Sequence, residues 1–479
     1  MIDLPDEDLS SEGLAKYLET KVFPKMNTEC ERLDDFEAWT KNGQEVPDLA
    51  TRHKNKEREV LQQLSRKPWM GLMVNSFAQQ LIVDGYRKTG TNENAKGWDT
   101  WRLNQMDKQQ FWLNRAVLTF GYAFIKVTSG ISPLDGTTVA RIKCIDPRDA
   151  FAIWEDPYWD EWPKYLLERQ PNGQYWWWTE EDYSIFEFKQ GKFIYRETVS
   201  HDYGHIPFVR YVNVMDLRGV CYGDVEPLVT VAKAIDKTGL DILLVQHHQS
   251  FQIRWATGLM LPEGANADQE KMRFAQESML ISQNEKASFG AIPAAPLDGL
   301  LNAYKESLLE FLALAQLPPH IAGQIVNVAA DALAAGTRQT MQKLFEKQAT
   351  WKASHNQTMR LVNKIEGRTE EATDLDFTIT WQDVTIQSLA QFADAWAKMV
   401  ESLKIPAEGV WDMIPNLDQS TVNGWKEIYD REGDFGKYMR KLQNGPDPAE
   451  QRGGPNGATN MQQANNKTGE PASLNKSGA

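Results

Sequence analysis

Residues Pro296 to Gly367 read PLDGLLNAYKESLLEFLALAQ, then LPPHIAGQIVNVAADALAAG, then TRQTMQKLFEKQATWKASHNQTMRLVNKIEG. In the first piece Leu300, Leu301, Tyr304, Leu308, Phe311, Leu312 and Ala315 recur at helical spacing, and Asp298 is placed to cap the start. Pro318 and Pro319 offer no N–H and push Leu317 out of helical geometry, so that helix must stop. His320 to Gly336 is rich in Ala, Val and Gly, with Asp331 its only acid and no Lys or Arg. Thr337 to Glu366 then runs without proline or glycine, its Met341, Leu344, Phe345, Trp351, Met359, Val362 and Ile365 diluted by polar residues. At about 1.5 Å per residue, a helix over this run reaches roughly 45 Å. The expectation is a long helix facing a shorter one across a small-residue loop, with the rest of the chain hung on that pair.

Downstream, DLDFTITWQDV alternates Leu375, Phe377, Ile379 and Trp381, the pattern of a strand with one buried face. Ser388 to Leu442 reads as helical, punctuated by Pro406 and Pro415. The tail from Asn444 is rich in Gly, Asn, Gln, Pro and Ser, too poor in apolar residues to order itself. Upstream, Leu228, Val231, Ala232, Ile235, Leu240, Leu243 and Leu244 mark a helix, followed by a small mixed module of turns and one charged helix. Before that, VARIKCI, AFAIWED, KYLLERQ, QYWWWT, YSIFEF, GKFIYRET and FVRYVNV form a β-rich region of short strands broken by turn signals. The opening is helical: Ser10 or Ser11 caps a face of Leu14, Tyr17, Leu18 and Val22. Met70, Met73, Val74, Phe77, Leu81 and Ile82 make a second stripe, with Asp84-Gly85 read as a turn. A further helix carrying Phe111, Leu113, Val117 and Leu118 ends at Gly121, and the strand YAFIKV follows. No internal repeat is present. The fold class is α+β.

The 479 residues are 41% hydrophobic and 25% charged, an ordinary globular balance for a chain of several parts. No apolar run is long enough to span a bilayer, and the acidic start MIDLPDEDLSSEG excludes a secretory or transit signal. Cys30, Cys144 and Cys221 are scattered, which indicates neither a disulfide framework nor a CxxC site and points to a reducing compartment. The net charge is −14. Tight DNA binding draws on phosphate neutralisation by basic side chains, so this chain would guide DNA or let it pass rather than grip it.

Motifs for chemistry are absent. There is no GxxxxGK[ST] loop, and Gly191-Lys192 and Gly436-Lys437 lack its context; GxGxxG, GxSxG and HExxH do not occur either. His201 and His205 around Asp202 read as a solvated turn, since no further ligand has helpful spacing. His247 and His248 are neighbours on a helix and diverge by about 100°, which suits an interface or channel-facing role better than a shared metal. Asp34-Asp35 and Glu180-Glu181 read as solvated faces. The densest feature is aromatic: Trp154, Tyr158, Trp159, Trp162 and Trp176-Trp177-Trp178. Strand alternation puts Trp176 and Trp178 on one face and Trp177 on the other, one face for a core and the other for a subunit interface.

The order of these pieces resembles the tailed-bacteriophage portal proteins, in particular the SPP1 portal-like family. The resemblance rests on NSFAQQLIVDGYR, LNRAVLTFGYAFIKV, IDPRDAFAIWEDP, the apolar helix, the small module, LPPHIAG, the long helix, the single strand and the helical C-terminus, and covers the chain to about Leu442. It implies a portal fold: a wing over 1–224, a stem helix over 225–249, a clip over 250–296 and a second stem helix over 297–316. A tunnel loop at 317–330, a long wing helix and strand over 331–387, a crown at 388–442 and a disordered tail over 443–479 complete it. It implies a structural, non-enzymatic subunit without cofactor or metal, in a ring of usually twelve copies at one capsid vertex, assembled in the host cytoplasm. The implied partners are further copies of itself, the large terminase subunit, a head-completion or adaptor protein, the major capsid and scaffolding proteins, and double-stranded DNA read without sequence specificity. Pro318, Pro319, His320, Ile321, Gly323, Gln324, Ile325, Val326, Asn327 and Val328 would face the DNA. Arg254, Trp255, Leu259, Leu261, Glu270, Lys271 and Arg273 would dock partners at the clip.

Net acidity suits a channel in which DNA must slide. With no Lys or Arg from Leu317 to Leu333, the loop could not hold DNA by charge. Two other function classes compete: a virion carbohydrate-binding or carbohydrate-active protein using the tryptophan cluster, and a plain cytoplasmic scaffold.

Overall fold

The computed structural model describes residues 10–44, 56–91, 93–132, 136–250, 254–257, 288–291, 296–322, 330–382 and 419–431, with short pieces at 396–398, 401–402 and 411. The chain divides into two compact units, Met1–Val384 and Thr385–Ala479.

The first unit opens with α1 (Ser11–Tyr17), whose cap is Ser10: its hydroxyl accepts the Gly13 amide at 3.2 Å. A π-helical turn (Leu18–Val22) leads into α2 (Phe23–Thr40). Next come α3 (Lys56–Ser65), α4 (Trp69–Ala78) and β1 (Val83–Lys88). Asp84-Gly85 is therefore not a turn. It sits inside β1, where the pairing register shifts between Val83 and Gly85. A Cβ at Gly85 would lie 2.6 Å from Asn94 Oδ1, so glycine serves a bulge there. The following helix is two, α5 (Gly97–Leu103) and α6 (Met106–Phe120), separated by Gln105 in the left-handed region. Gly121, at φ +93°, ends α6, and a side chain there would meet backbone atoms of Tyr222 and Gly223 at 2.7 Å.

Two antiparallel sheets follow. One has the order β3–β2–β9, from β2 (Tyr122–Ile131), β3 (Thr138–Ile145) and β9 (Phe208–Val212). The other is a meander of β4 (Ala150–Ile153), β5 (Tyr165–Arg169), β6 (Gln174–Trp178), β7 (Asp182–Lys189) and β8 (Lys192–Ser200). A small hairpin, β10 (Val214–Met215) with β11 (Cys221–Tyr222), and a 3-10 turn (Glu226–Leu228) lead into α7 (Val229–Ser250). β12 (Arg254–Thr257) pairs with β13 (Ser288–Ala291). Then come α8 (Asp298–Ala315), a 3-10 turn (Pro319–Ala322), α9 (Ala330–Ile365), α10 (Thr369–Thr373) and β14 (Phe377–Trp381), which pairs with β1. In the second unit α11 (Gln419–Arg431) is described, with Trp425 set edge-on to Trp411 at 6.4 Å.

The tryptophan alternation holds. Trp177 joins Leu18, Val22, Met26 and Phe186 in a core between the first helices and the meander. Trp178 faces the opposite way, with Phe124, Leu166 and Phe208 between the two sheets. Both faces are thus covered within one chain, and the expected subunit interface is not needed to bury either. The largest core joins α2, α4, α5, α6, β2, β9, α7, the end of α8 and α9, with Trp101, Tyr211, Trp351 and Val362 wholly buried.

Four expectations around the opening stretch change. Asp298 is the first helical residue rather than the cap, and its carboxylate sits in the first turn where the helix dipole favours it. The long helix begins at Ala330 and absorbs Gly336, giving 36 residues and about 54 Å. One glycine costs a helix only about 1 kcal/mol relative to alanine, too little to end one of this length. The two helices do not lie face to face: α8 packs along α7, while α9 lies against β9, β14, β2, β3 and α5. Phe345 and Leu375, expected on apolar faces, are 58% and 77% exposed.

Candidate functional site

The stretch that organises the chain brings the end of α8 and the Asp224 segment that leads into α7 onto α9. One stripe of α9 runs Thr340, Leu344, Lys347, Trp351, His355, Thr358 and Val362, all buried. Four of these, Thr340, Lys347, His355 and Thr358, are polar at positions where helical periodicity calls for apolar residues, and each has a definite partner.

Lys347 Nζ lies 3.0 Å from Asp224 Oδ2 and donates to Asn213 Oδ1. Asn213 Nδ2 donates to Asp224 Oδ1 at 2.9 Å and to the Tyr222 carbonyl at 3.0 Å. The Asp224 amide donates to the Leu118 carbonyl at 2.8 Å, so the end of α6, the β10–β11 hairpin and the approach to α7 meet here. Lys343 Nζ reaches the same carboxylate at 3.2 Å and stands 4.6 Å from the centre of the Phe77 ring. Burial works against a charged Asp224, but Lys347 and Lys343 outweigh it and hold the carboxyl below its usual range. Thr340 Oγ1 donates to the Gln316 carbonyl at 2.6 Å, and Lys343 Nζ to that of Ala315 at 3.3 Å.

Further along, the Tyr211 hydroxyl bonds Thr358 Oγ1 at 2.8 Å and His355 Nδ1 at 3.0 Å. His355 Nε2 is buried with no hydrogen-bond partner among the described residues. Complete burial depresses the His355 pKa to about 3, so the ring is neutral. A second buried ion pair lies between the sheets: Lys126 Nζ with both oxygens of Glu168, at 3.0 and 2.8 Å.

Of the expected DNA-facing residues, Pro318 is buried, Pro319 exposed, and His320 half-buried. Ile321 packs against the main core. Gly323, Gln324, Ile325, Val326, Asn327 and Val328 lie outside the described residues. Of the expected docking residues, Arg254 and Trp255 lie in β12, while Leu259, Leu261, Glu270, Lys271 and Arg273 lie outside the described residues. The segment at 388–442 is described only in short pieces and α11, and the tail after 443 not at all.

His201 and His205 lie in the bend before β9, as expected, but their side chains are half-buried rather than solvated. His201 stacks against Tyr203 at 5.1 Å and lies 5.4 Å from Trp178. His205 and Trp162 are set edge to face at 3.7 Å, and burial lowers the His205 pKa. Among the described residues no three His, Cys, Asp or Glu are grouped to hold a metal. The aromatic cluster is mostly spoken for: Trp154 lies 3.9 Å beneath the Arg210 guanidinium, Trp177 and Trp178 are core, and Trp159 stands out at 79% exposure. This arrangement gives no support to a carbohydrate platform.

Asp224, Asn213, Thr340, Lys343 and Lys347 were not singled out from sequence. The signal was the interruption of an apolar stripe: Lys347 occupies the place between Leu344 and Trp351 where a core residue is due.

The family described as phage portal protein, SPP1 Gp6-like, matches residues 21–433. No curated protein matches the chain. Among solved structures, it is similar to a chain from the neck of an empty GTA particle computed with C6 symmetry, at 10% identity and a TM-score of 0.45, covering 75% of this chain and 93% of that one. A chain from the virion of a native gene transfer agent particle gives 11% identity and a TM-score of 0.43, with the same coverage. One from the neck of a native GTA particle computed with C12 symmetry gives 10% and 0.41, covering 73% and 88%. The family match takes in most of the chain, including both sheets and the whole α7–α8–α9 junction, and so the chain belongs to the phage portal proteins of the SPP1 Gp6-like family.

Proposed function

We propose that this portal subunit closes head to tail into a ring of twelve copies around a channel for double-stranded DNA, at one capsid vertex. The observation that carries the reading is the family match across 21–433. The packed pair α7 and α8 supports a stem role for 225–249 and 297–316, and the β12–β13 pair between them supports a clip at 250–296. The wing is 1–224 with 331–387, the tunnel loop 317–330 and the crown 388–442. The clip docks the large terminase subunit during packaging and a head-completion or adaptor protein afterwards. Major capsid and scaffolding proteins surround the ring during its assembly in the host cytoplasm. A net charge of −14 suits a conduit that lets DNA slide. The subunit does this work by shape and movement, without cofactor or metal.

Head-to-tail interfaces must close, and size tests that. Twelve copies of a 54.6 kDa chain make a ring of about 650 kDa by light scattering, with a central hole in negative stain. A monomer under all conditions overturns the reading. Val326→Asp with Val328→Asp should leave the ring intact and impair packaging or retention; unchanged packaged genome length contradicts the tunnel assignment.

A further inference from the structure

We infer that Thr340 and Lys343 are positioning residues that couple the end of α8 to α9, separately from the Lys347–Asp224–Asn213 cluster that anchors α9 near the base of α7. A helix leaves its last carbonyls without intrahelical donors. Here α8 ends at Gln316 in the left-handed region, at φ +59°, which a residue other than glycine adopts at a cost. Pro318 and Pro319 then remove two amide donors from the segment that follows. The carbonyls of Ala315 and Gln316 take their donors from side chains of α9 instead, Lys343 Nζ at 3.3 Å and Thr340 Oγ1 at 2.6 Å.

The charge count makes the coupling asymmetric. Two ammoniums share one carboxylate, and Lys347 is the deeper of them, at 4% side-chain exposure against 14% for Lys343. Parting Lys347 from Asp224 strands a charge in the core, which is strongly opposed. Parting Lys343 from α8 strands nothing, because Asp224 at 3.2 Å and the Phe77 ring at 4.6 Å still hold the ammonium. The Asp224 segment that leads into α7 is therefore fixed to α9, and the α8 end is releasable. The consequence for the conduit, that α8 shifts against α9 while α7 stays attached, rests on the portal reading; the coupling itself does not.

Hydrogen–deuterium exchange on the full chain tests it. Lys343→Met and Thr340→Val should each speed exchange of amides in the last turn of α8 (311–316) about tenfold, the factor for loss of one ordinary hydrogen bond. Protection at the start of α7 should be unchanged, and Lys343→Arg should restore the last turn of α8. Unchanged exchange at 311–316 in both variants overturns the proposal. So does an equal loss of protection at α7, which would make the junction one undivided cluster. If Lys343→Met fails to fold, Thr340→Val, which removes no charge, decides alone. Neither readout involves ring, capsid or DNA, so failure of the portal reading would show separately.

Discussion

Among the described residues the protein buries ammonium groups in two places, and the two are built differently. Lys126 has one carboxylate, Glu168, only 42 residues away in sequence, and that carboxylate is bonded in turn by Trp178 Nε1 at 2.9 Å. Aromatic faces of Trp176, Trp178 and Phe208 surround the ammonium at 4.8, 4.6 and 5.3 Å. Every partner comes from β2, β5, β6 or β9. At the helical junction, by contrast, two lysines share Asp224, 123 residues from Lys347, and the surrounding donors and acceptors come from four separate segments. A closed one-to-one pair fastens two sheets together. An open two-to-one cluster ties distant segments to one helix while leaving one member free to exchange partners. Cohesion and coupling thus use the same chemistry at different stoichiometry.

The largest effect should come from breaking the closed pair. Glu168→Ala leaves Lys126 buried with aromatic faces and no anion, and should cost about 3–5 kcal/mol of unfolding free energy. Urea unfolding of the purified chain measures it. Lys347→Met should cost less, about 1.5–3 kcal/mol, because Lys343 remains to neutralise Asp224 and only the hydrogen bonds of Lys347 are lost. If Lys347→Met proves as damaging as Glu168→Ala, Lys343 does not compensate, and the distinction between the two sites collapses.

How far the sequence disclosed these sites follows from the range of the forces involved. Strands and helices came through because alternation and helical spacing are local, as at Tyr175–Trp178 and along Met70–Phe77. Gly121 was legible as a breaker for the same reason. Asp84-Gly85 misled because a bulge and a turn share a composition, and the partner strand that decides between them lies nearly 300 residues on, at Phe377–Trp381. The packing partner of α8 was equally hidden: its apolar stripe fits any apolar helix, and nothing within the stretch says that α7 is the one. Asp224 looks like any loop acid until Lys343 and Lys347 arrive from α9. The family resemblance reached further than the residue patterns because it drew on the order of many elements together.

His355 is the limiting case of the same comparison, a buried base that carries no charge at all. Its surroundings are Trp101 at 5.6 Å, Trp381 at 5.6 Å and the Tyr211 hydroxyl, and among the described residues no carboxylate is bonded to either ring nitrogen. The folded chain therefore keeps the ring neutral down to about pH 3, while the unfolded chain protonates it near the ordinary value of 6.5. Between those values the unfolded state binds the extra proton, so acid favours unfolding. The stability that His355 confers by being neutral is complete above pH 6.5 and falls by about 1.4 kcal/mol per pH unit below it, levelling off near pH 3. His355→Phe should lower stability at pH 7, since Tyr211 loses a partner, yet lose about 2 kcal/mol less than the parent between pH 7 and pH 5. Urea midpoints of the two chains at both pH values give the difference directly. Equal losses would mean that the folded ring takes up its proton as readily as the unfolded one. In that case the interior around α9 would admit an unpaired cation, and the pairing of Lys347 with Asp224 would need another reason.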